Sequence, residues 1–157
     1  MSKAELVNGK LIIEDAFILY RNFSGNQTDY NAAGKRNFNV VIDDPDFAQV
    51  LQNEGWNVKF RAPRDPQDQG THHIKVNVNF DSARPPRIFM HTNNTVKELD
   101  NQTVGQLDQA DIIGCDMSIS PYSWERNGSA GISAYLDTMH VVIKEDPFAH
   151  KYANLEG

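Results

Sequence analysis

Aromatic and basic side chains are concentrated at one reversal of the chain, in the segment Ser120-Pro-Tyr-Ser-Trp-Glu-Arg-Asn-Gly-Ser-Ala-Gly131. A β-rich run continues from there to Ile143. The Asn127-Gly128 pair predicts a tight turn between two strands, because asparagine and glycine tolerate the positive φ angles of a two-residue hairpin loop. An aromatic ring beside a cation on a strand can bind an unstacked base and its phosphate. This segment therefore favours base stacking over catalysis.

The same combination of aromatic and basic residues occurs in the polar loop between residues 22 and 34. For each aromatic in these two regions, base stacking and packing against the body of the protein are both open alternatives. We predict base stacking on five residues, which are Phe23, Tyr30, Tyr122, Trp124 and Tyr135. We predict phosphate contacts from seven residues, which are Arg21, Lys35, Arg36, Lys59, Arg61, Lys75 and Arg126.

Catalytic motifs are missing from the sequence. It contains no Walker loop, no G-x-G-x-x-G, no G-x-S-x-G and no His-Glu-x-x-His pattern. The acidic residues Asp43, Asp44 and Asp46 could suggest a magnesium site, but the start of a helix explains them more simply. Cys115 lies in an apolar run, which predicts a buried and unreactive thiol. We therefore expect no enzymatic activity, no metal and no cofactor, and a metal-dependent hydrolase that uses Asp43, Asp44 and a histidine is the weakest alternative.

The charge of the chain is unevenly distributed. The formal net charge is −6, which argues against a strong general affinity for polyanions. Residues 1–91 contain eleven basic and eleven acidic side chains, whereas residues 92–157 contain four and ten, so the second of these segments carries the whole excess. A basic groove in the first part can still follow a phosphate backbone, because the local potential sets the contact.

The length and composition of the chain predict one domain. With 157 residues, 39% of them hydrophobic and 23% charged, the chain is long enough for a single core. We expect one OB-like domain over residues 1–157 that ends in a short polar tail at about 146–157. No apolar run is long enough to span a bilayer, and the first residues lack the apolar core of a signal peptide, which predicts a cytoplasmic protein that does not bind membranes.

Short β-rich segments dominate the chain, and the alternation of residues 73–80 is typical of a half-buried strand. One helix is predicted over residues 44–54, because Asp44 can cap it and Gly55 can end it. Trp56 is predicted to pack beneath that helix. These elements predict a mainly β protein, with a five- to six-stranded OB-like barrel and one capping helix. A β-sandwich is the alternative, because the number of strands does not separate the two architectures.

Several motifs resemble the single-stranded DNA-binding proteins that bacteriophages and other mobile elements encode. They are Arg21-Asn22-Phe23-x-Gly25, Tyr30-Asn31, Gly34-Lys35-Arg36-Asn37-Phe38, Gly55-Trp56-Asn57-Val58-Lys59 and Gly131-Ile132-Ser133-Ala134-Tyr135-Leu136. The resemblance implies an OB fold and a strand-binding groove lined by Lys35, Arg36 and the aromatics of the 22–34 loop. Many of those proteins end in a long acidic tail that recruits replication partners, and the nearly balanced segment 144–157 departs from that pattern.

These observations predict a non-enzymatic single-stranded DNA-binding protein of a phage or mobile element that supports replication or recombination. It would act in the cytoplasm of the host cell, together with replication or recombination proteins. The alternative is a non-enzymatic protein-interaction or virion-associated β-domain that uses the acidic last third. The sequence does not distinguish DNA from RNA as the ligand, nor a monomer from a homo-oligomer.

Overall fold

The computed structural model describes residues 2–144, and the predicted tail at 146–157 lies outside the described residues. Within residues 2–144 the chain forms ten strands, one α-helix and one short 3-10 helix. The strands are β1 (Lys3–Val7), β2 (Lys10–Glu14), β3 (Ile18–Asn22), β4 (Arg36–Ile42), β5 (Val58–Arg61), β6 (Thr71–Val78), β7 (Arg87–Thr92), β8 (Thr95–Leu99), β9 (Ile112–Arg126) and β10 (Ser129–Ile143). The helix α1 is Pro45–Glu54, and the 3-10 helix is Val104–Asp108. The mainly β prediction is confirmed.

The ten strands form one hydrogen-bonded sheet. Its main path runs β1-β2-β9-β10-β6-β4-β3, with β5 beside β6 and the β7–β8 hairpin beside β10. Strands β6 and β7 pair with β10 in parallel, and the other ladders are antiparallel. In the described part of the chain no ladder joins β3 to β1, so the sheet is open and a closed barrel is not confirmed. The predicted count of five to six strands is wrong, because short hairpins such as β1–β2 and β7–β8 add strands to the sheet.

The alternation of β6 separates the core from the outer face of the sheet. Ile74, Val76 and Val78 point inward and are buried, as the alternation of residues 73–80 predicts. Lys75 points outward and is exposed, because successive side chains of a strand lie on opposite faces. The outer face of β4 and β6, with the strands beside them, is therefore polar.

Helix α1 begins and ends as predicted. The side chain of Asp44 accepts a hydrogen bond of 2.9 Å from the backbone N–H of Asp46, and Gly55 closes the helix with φ of 104°. Trp56 is buried, which confirms its predicted place in the core. The carbonyl of Gly55 accepts a hydrogen bond of 2.9 Å from the backbone N–H of Ile132, which fastens the end of the helix to β10. None of the helices in residues 2–144 combines the length and the apolar character that a membrane crossing needs.

The longest ladder joins β9 to β10 through the predicted Asn127-Gly128 turn. These two residues have φ angles of 52° and 83°, which are typical of a tight hairpin turn. Residues 121–130 are all exposed, so the end of this hairpin extends beyond the core. We call residues 121–131 the hairpin arm.

Candidate nucleic-acid interface

Outward side chains of neighbouring strands form a polar and basic surface. On β4 and β6, Asn39 lies opposite Lys75 and Asn37 lies opposite Asn77. Lys59 on β5 lies opposite His73 on β6. Within residues 2–144 neither lysine belongs to an ion pair, since the two ion pairs found there are Lys10–Asp137 and Arg87–Glu98. The positive charge of this surface is thus available to an anionic ligand.

An open groove of about 720 Å³ crosses this surface. We call it the sheet groove, and it is lined by Tyr20, Arg21, Asn22, Asn26, Thr28, Tyr30, Asn31, Asn37, Asn39, Lys59, Lys75, Asp108 and Gln109. A second cleft of about 570 Å³ lies beside it and runs to Trp124 and Gly131 of the hairpin arm. Lys75 borders both cavities. The two cavities therefore adjoin across β6, which links the sheet groove to the hairpin arm.

Tyr20 contributes an exposed ring to the sheet groove that the sequence analysis missed. It lies where the β3–β4 register shifts between Leu19 and Asn22, and its φ of 54° is in the left-handed region, where a bulky residue is strained. Its hydroxyl oxygen lies 2.6 Å from Nη1 of Arg61, whose guanidinium carbon is 5.8 Å from the ring centroid. The bulge and Arg61 together present the ring to the groove. A bulge has no strong local sequence signal, so alternation alone could not find Tyr20.

Tyr30 lies at the tip of a loop that is held by its own amide side chains. Its side chain is 96% exposed. Nδ2 of Asn31 donates to the carbonyls of Asn26, Ala32 and Lys35 at 3.0, 3.1 and 2.9 Å. The loop is therefore ordered by hydrogen bonds, and it presents an uncovered ring at the edge of the groove, as the base-stacking prediction requires.

Phe23 does not fit the base-stacking prediction. Its side chain is 0% exposed and stacks on Phe38 with the ring centroids 5.4 Å apart. A buried ring cannot offer a face to a base, so the prediction that Phe23 binds DNA is wrong. The polar residues around Phe23 in the sequence indicate an exposed loop. In the structure this loop folds back over β4, which buries the ring.

Two of the residues that are predicted to contact phosphates also brace loops. Nη1 of Arg21 donates to the carbonyls of Leu107 and Ala110, both at 2.8 Å. Nη1 of Arg36 donates to the carbonyl of Phe23 at 2.9 Å. Both arginines are half-buried, and their structural bonds account for their positions without a ligand. Lys35 is exposed beside them.

The predicted aromatics of the hairpin arm share one face. Tyr122 lies opposite Ser133 and Trp124 lies opposite Gly131, so both rings project to the same side as Tyr135. The rings of Tyr122 and Tyr135 meet edge to face with centroids 6.1 Å apart. Together with Arg126 they line a third cavity, on the hairpin arm. Trp124 covers Gly131 so closely that a Cβ atom there would come within 2.8 Å of the indole. Because Gly131 has no Cβ atom, the exposed indole of Trp124 can lie directly against the backbone of β10.

Comparison with protein-family models shows which known proteins this chain is similar to. A family model described as "Putative phage ssDNA-binding domain" matches residues 1–156. The chain belongs to this family of phage single-stranded DNA-binding domains. The ligand class expected from the sequence is thereby confirmed, and the same finding identifies single-stranded DNA as the partner.

Solved structures support the fold. The C-terminally truncated single-stranded DNA-binding protein of bacteriophage Enc34 has a TM-score of 0.55 at 13% identity and covers 89% of this chain and 88% of its own. A second structure of the Enc34 protein has a TM-score of 0.54 at 12% identity and covers 95% of this chain and 90% of its own. Its complex with ssDNA has a TM-score of 0.51 at 14% identity, with coverages of 89% and 89%. No curated protein is significantly similar in sequence.

The residues considered for metal or nucleophilic chemistry have structural roles in this single-stranded DNA-binding domain. Asp44 caps α1, and Oδ2 of Asp43 accepts hydrogen bonds from the backbone N–H and the hydroxyl of Ser2 at 2.9 and 2.6 Å. Burial raises the pKa of the Cys115 thiol to about 12. The described residues contain no group of three or more potential metal ligands.

His73 makes the stability of the domain sensitive to pH. Burial, and then the charges of Lys59, Arg61 and His72, hold its pKa below the ordinary value of 6.5. The unfolded chain therefore binds this proton more tightly than the folded protein, so the contribution of His73 to the free energy of unfolding is complete above about pH 6.5 and declines below it. We expect His73→Gln to reduce the loss of stability between about pH 7.5 and 5.5, as measured by urea unfolding. An equal loss of unfolding free energy in the variant and the wild type would show that His73 is not the source of this pH dependence.

Proposed function

We propose that this domain binds single-stranded DNA along a continuous path from the sheet groove to the hairpin arm. Bases would stack on Tyr20 and Tyr30 at one end and on Tyr122, Trp124 and Tyr135 at the other. Between them Lys59 and Lys75 would hold phosphates, while Lys35, Arg61 and Arg126 flank the path. The observation that carries the proposal is the position of Lys75, which has no ion pair in residues 2–144 and borders both cavities.

The energetics of stacking and charge suit such a path. Each base stacked on an aromatic side chain contributes about 1–3 kcal/mol, and each neutralised phosphate releases counterions. A net charge of −6 is compatible with this path, because Lys59, Arg61 and Lys75 share the outer face of β5 and β6 and the local potential sets the contact. We further propose that the single domain acts without catalysis, in the host cytoplasm, to protect DNA strands during replication or recombination.

Tryptophan fluorescence tests the path directly, because the two tryptophans differ in exposure. Trp124 is 41% exposed and Trp56 is 4% exposed. Titration with oligo-dT should quench the emission of Trp124, and added salt should reverse the quenching. Trp124→Phe should abolish most of the quenching, since the buried Trp56 is then the only indole. Absence of both quenching and a gel shift in the wild type would overturn the proposed function.

Trp124→Ala should lower the affinity for oligo-dT without unfolding the domain. The loss of one stacked base corresponds to about a 5- to 150-fold weaker affinity, which fluorescence anisotropy with labelled DNA can measure. Thermal unfolding should change little, because the ring lies outside the core on Gly131. Ser123→Ala, which leaves the charge unchanged at an exposed neighbouring position on the opposite face of β9, is the matched control. A Trp124→Ala variant that unfolds would place this ring in the structural core instead.

A further inference from the structure

Gly131 lies inside β10 at a position where the backbone does not need a glycine. It is opposite Trp124, and the β9–β10 register is continuous on both sides of this pair, as far as Leu136 and Ile119. Its φ angle lies outside the left-handed region, unlike that of Gly128 in the turn. A glycine inside a strand lowers stability, because it loses more conformational freedom on folding and has no side chain to pack. The fold alone therefore does not account for this residue.

The space that a side chain would occupy at position 131 is filled by the indole of Trp124. A Cβ atom there would lie 2.8 Å from Cζ2, 3.1 Å from Cε2 and 3.3 Å from Nε1 of that ring. Non-bonded carbon atoms favour separations of about 3.5–4.0 Å, so a methyl group and the ring cannot both keep these positions. The atoms that would clash belong to the far end of a side chain that can rotate. The ring would therefore move, and the backbone would stay in place.

The indole of Trp124 occupies the junction of two cavities along the proposed DNA path. Trp124 and Ser133 line both the second cleft and the third cavity on the hairpin arm. Trp124 is 41% exposed, so a DNA strand that follows the path would pass over it. The other rings of the third cavity, those of Tyr122 and Tyr135, meet each other edge to face. The indole itself lies against the backbone of β10 at Gly131.

We propose that Gly131 is a positioning residue for DNA binding, an inference that rests on the proposed function. Because position 131 has no Cβ atom, the Trp124 indole lies against β10 in the orientation in which it stacks a base. A stacked base needs the face of the ring at van der Waals distance, so a displacement of the indole weakens the contact. The glycine thus lowers the stability of the strand and raises the affinity for DNA.

A purely structural explanation of the Trp124–Gly131 pair makes different predictions. An aromatic side chain that covers a glycine on the neighbouring strand can strengthen a sheet. If that were the role of the pair, Trp124→Ala would lower the stability of the domain, and Gly131→Ala would leave DNA binding unchanged. Stability and affinity measured on the same variants therefore separate the two explanations.

Gly131→Ala tests the inference directly. We expect its midpoint of thermal unfolding to equal or exceed that of the wild type, because alanine loses less conformational freedom on folding. Its affinity for oligo-dT should fall about three- to tenfold, less than in Trp124→Ala, because a displaced ring still stacks a base in part. In the free protein, acrylamide should quench the emission of Trp124 more strongly than in the wild type, since the ring no longer lies against β10.

Gly114→Ala is the matched control in the same ladder. Gly114 also has a φ angle outside the left-handed region, and a Cβ atom there would lie 3.7 Å from Val142, which is ordinary contact. It does not line the sheet groove, the second cleft or the third cavity. This variant should therefore bind oligo-dT with the affinity of the wild type.

A double-variant cycle assigns the effect to the indole. In a protein that already carries Trp124→Ala, Gly131→Ala should cause no further loss of affinity, because the ring that the methyl group displaces is gone. An equal loss in both backgrounds would show that the methyl group obstructs the DNA itself, which would overturn the inference. Weaker binding with unchanged acrylamide quenching would overturn it too, because the ring would not have moved.

The remaining outcomes separate this inference from the proposed function. Wild-type affinity in a folded Gly131→Ala variant would overturn the inference and leave single-stranded DNA binding intact. Failure of Gly131→Ala to fold, as judged by circular dichroism, would show that the fold requires this glycine and would also overturn the inference. Failure of the wild type to bind oligo-dT would overturn the proposed function and the inference together.

Discussion

Lys59→Glu combined with Lys75→Glu is expected to lower the affinity for oligo-dT on the order of a hundredfold at low salt. Both lysines lie exposed on the outer face of the sheet, where each replacement removes a phosphate contact and adds a repulsive charge. Binding titrations at several salt concentrations should also show a flatter salt dependence. Loss of two phosphate contacts should reduce the slope of log K against log salt by about 1.4.

A second double variant separates local charge from net charge. Lys3→Glu with Lys97→Glu changes the net charge by the same amount at exposed positions on β1 and β8, which do not line the two cavities of the proposed path. We expect this control to weaken binding only slightly. Equal losses in the two double variants would mean that net charge, rather than the path across β6, determines the affinity.

Phe23→Ala is expected to lower the free energy of unfolding by about 3–5 kcal/mol, the usual cost of removing a fully buried phenylalanine ring. The ring is 0% exposed and stacks on Phe38, so its removal leaves a cavity between the loop and β4. Urea unfolding measures the change. The affinity of the folded fraction for oligo-dT should be affected much less than the stability.

Tyr30→Ala removes an exposed ring from the same loop and is compared with Phe23→Ala, which removes a buried one. Tyr30 is 96% exposed, so its removal should leave the urea midpoint nearly unchanged while it weakens DNA binding by about 1–3 kcal/mol. The opposite pattern, in which Phe23→Ala is stable but binds DNA poorly, would show that the loop opens and that Phe23 stacks a base after all.

Elements with strong local signals were predictable from the sequence. Asp44 begins α1 through a hydrogen bond from the backbone N–H of Asp46, and Gly55 ends it with a left-handed φ. Both features depend only on residues within one turn of the helix. The Asn127-Gly128 turn fixes in the same local manner the register of the part of the β9–β10 ladder next to it, as far as the pair Leu136 and Ile119. The alternation in β6 identified Lys75 as an outward cation, because strand periodicity depends only on the order of the residues. Those features predicted the turn of the hairpin and the outward position of Lys75.

Features that depend on distant partners were not predictable. Phe23 and Tyr30 are both aromatics in one polar loop, and only the position of Phe38 decides which ring is buried. Tyr20 reaches the groove because the β3–β4 ladder contains a bulge, and its contact with Arg61 spans two separate strands. Pairing of β6 with β10 brings the hairpin arm beside the sheet groove. No periodic pattern within either strand encodes that pairing.

The hydrogen bonds of Asn31 have a consequence for the kinetics of DNA binding. Because the loop is already ordered, Tyr30 is presented before a strand arrives, and little conformational entropy is lost on association. Encounter should then be limited by electrostatically assisted diffusion rather than by a folding step of the loop. Differences among DNA sequences and among stacking variants should appear chiefly in the dissociation rate. The rate at which such a domain captures an exposed strand should therefore be set by charge and salt rather than by the loop.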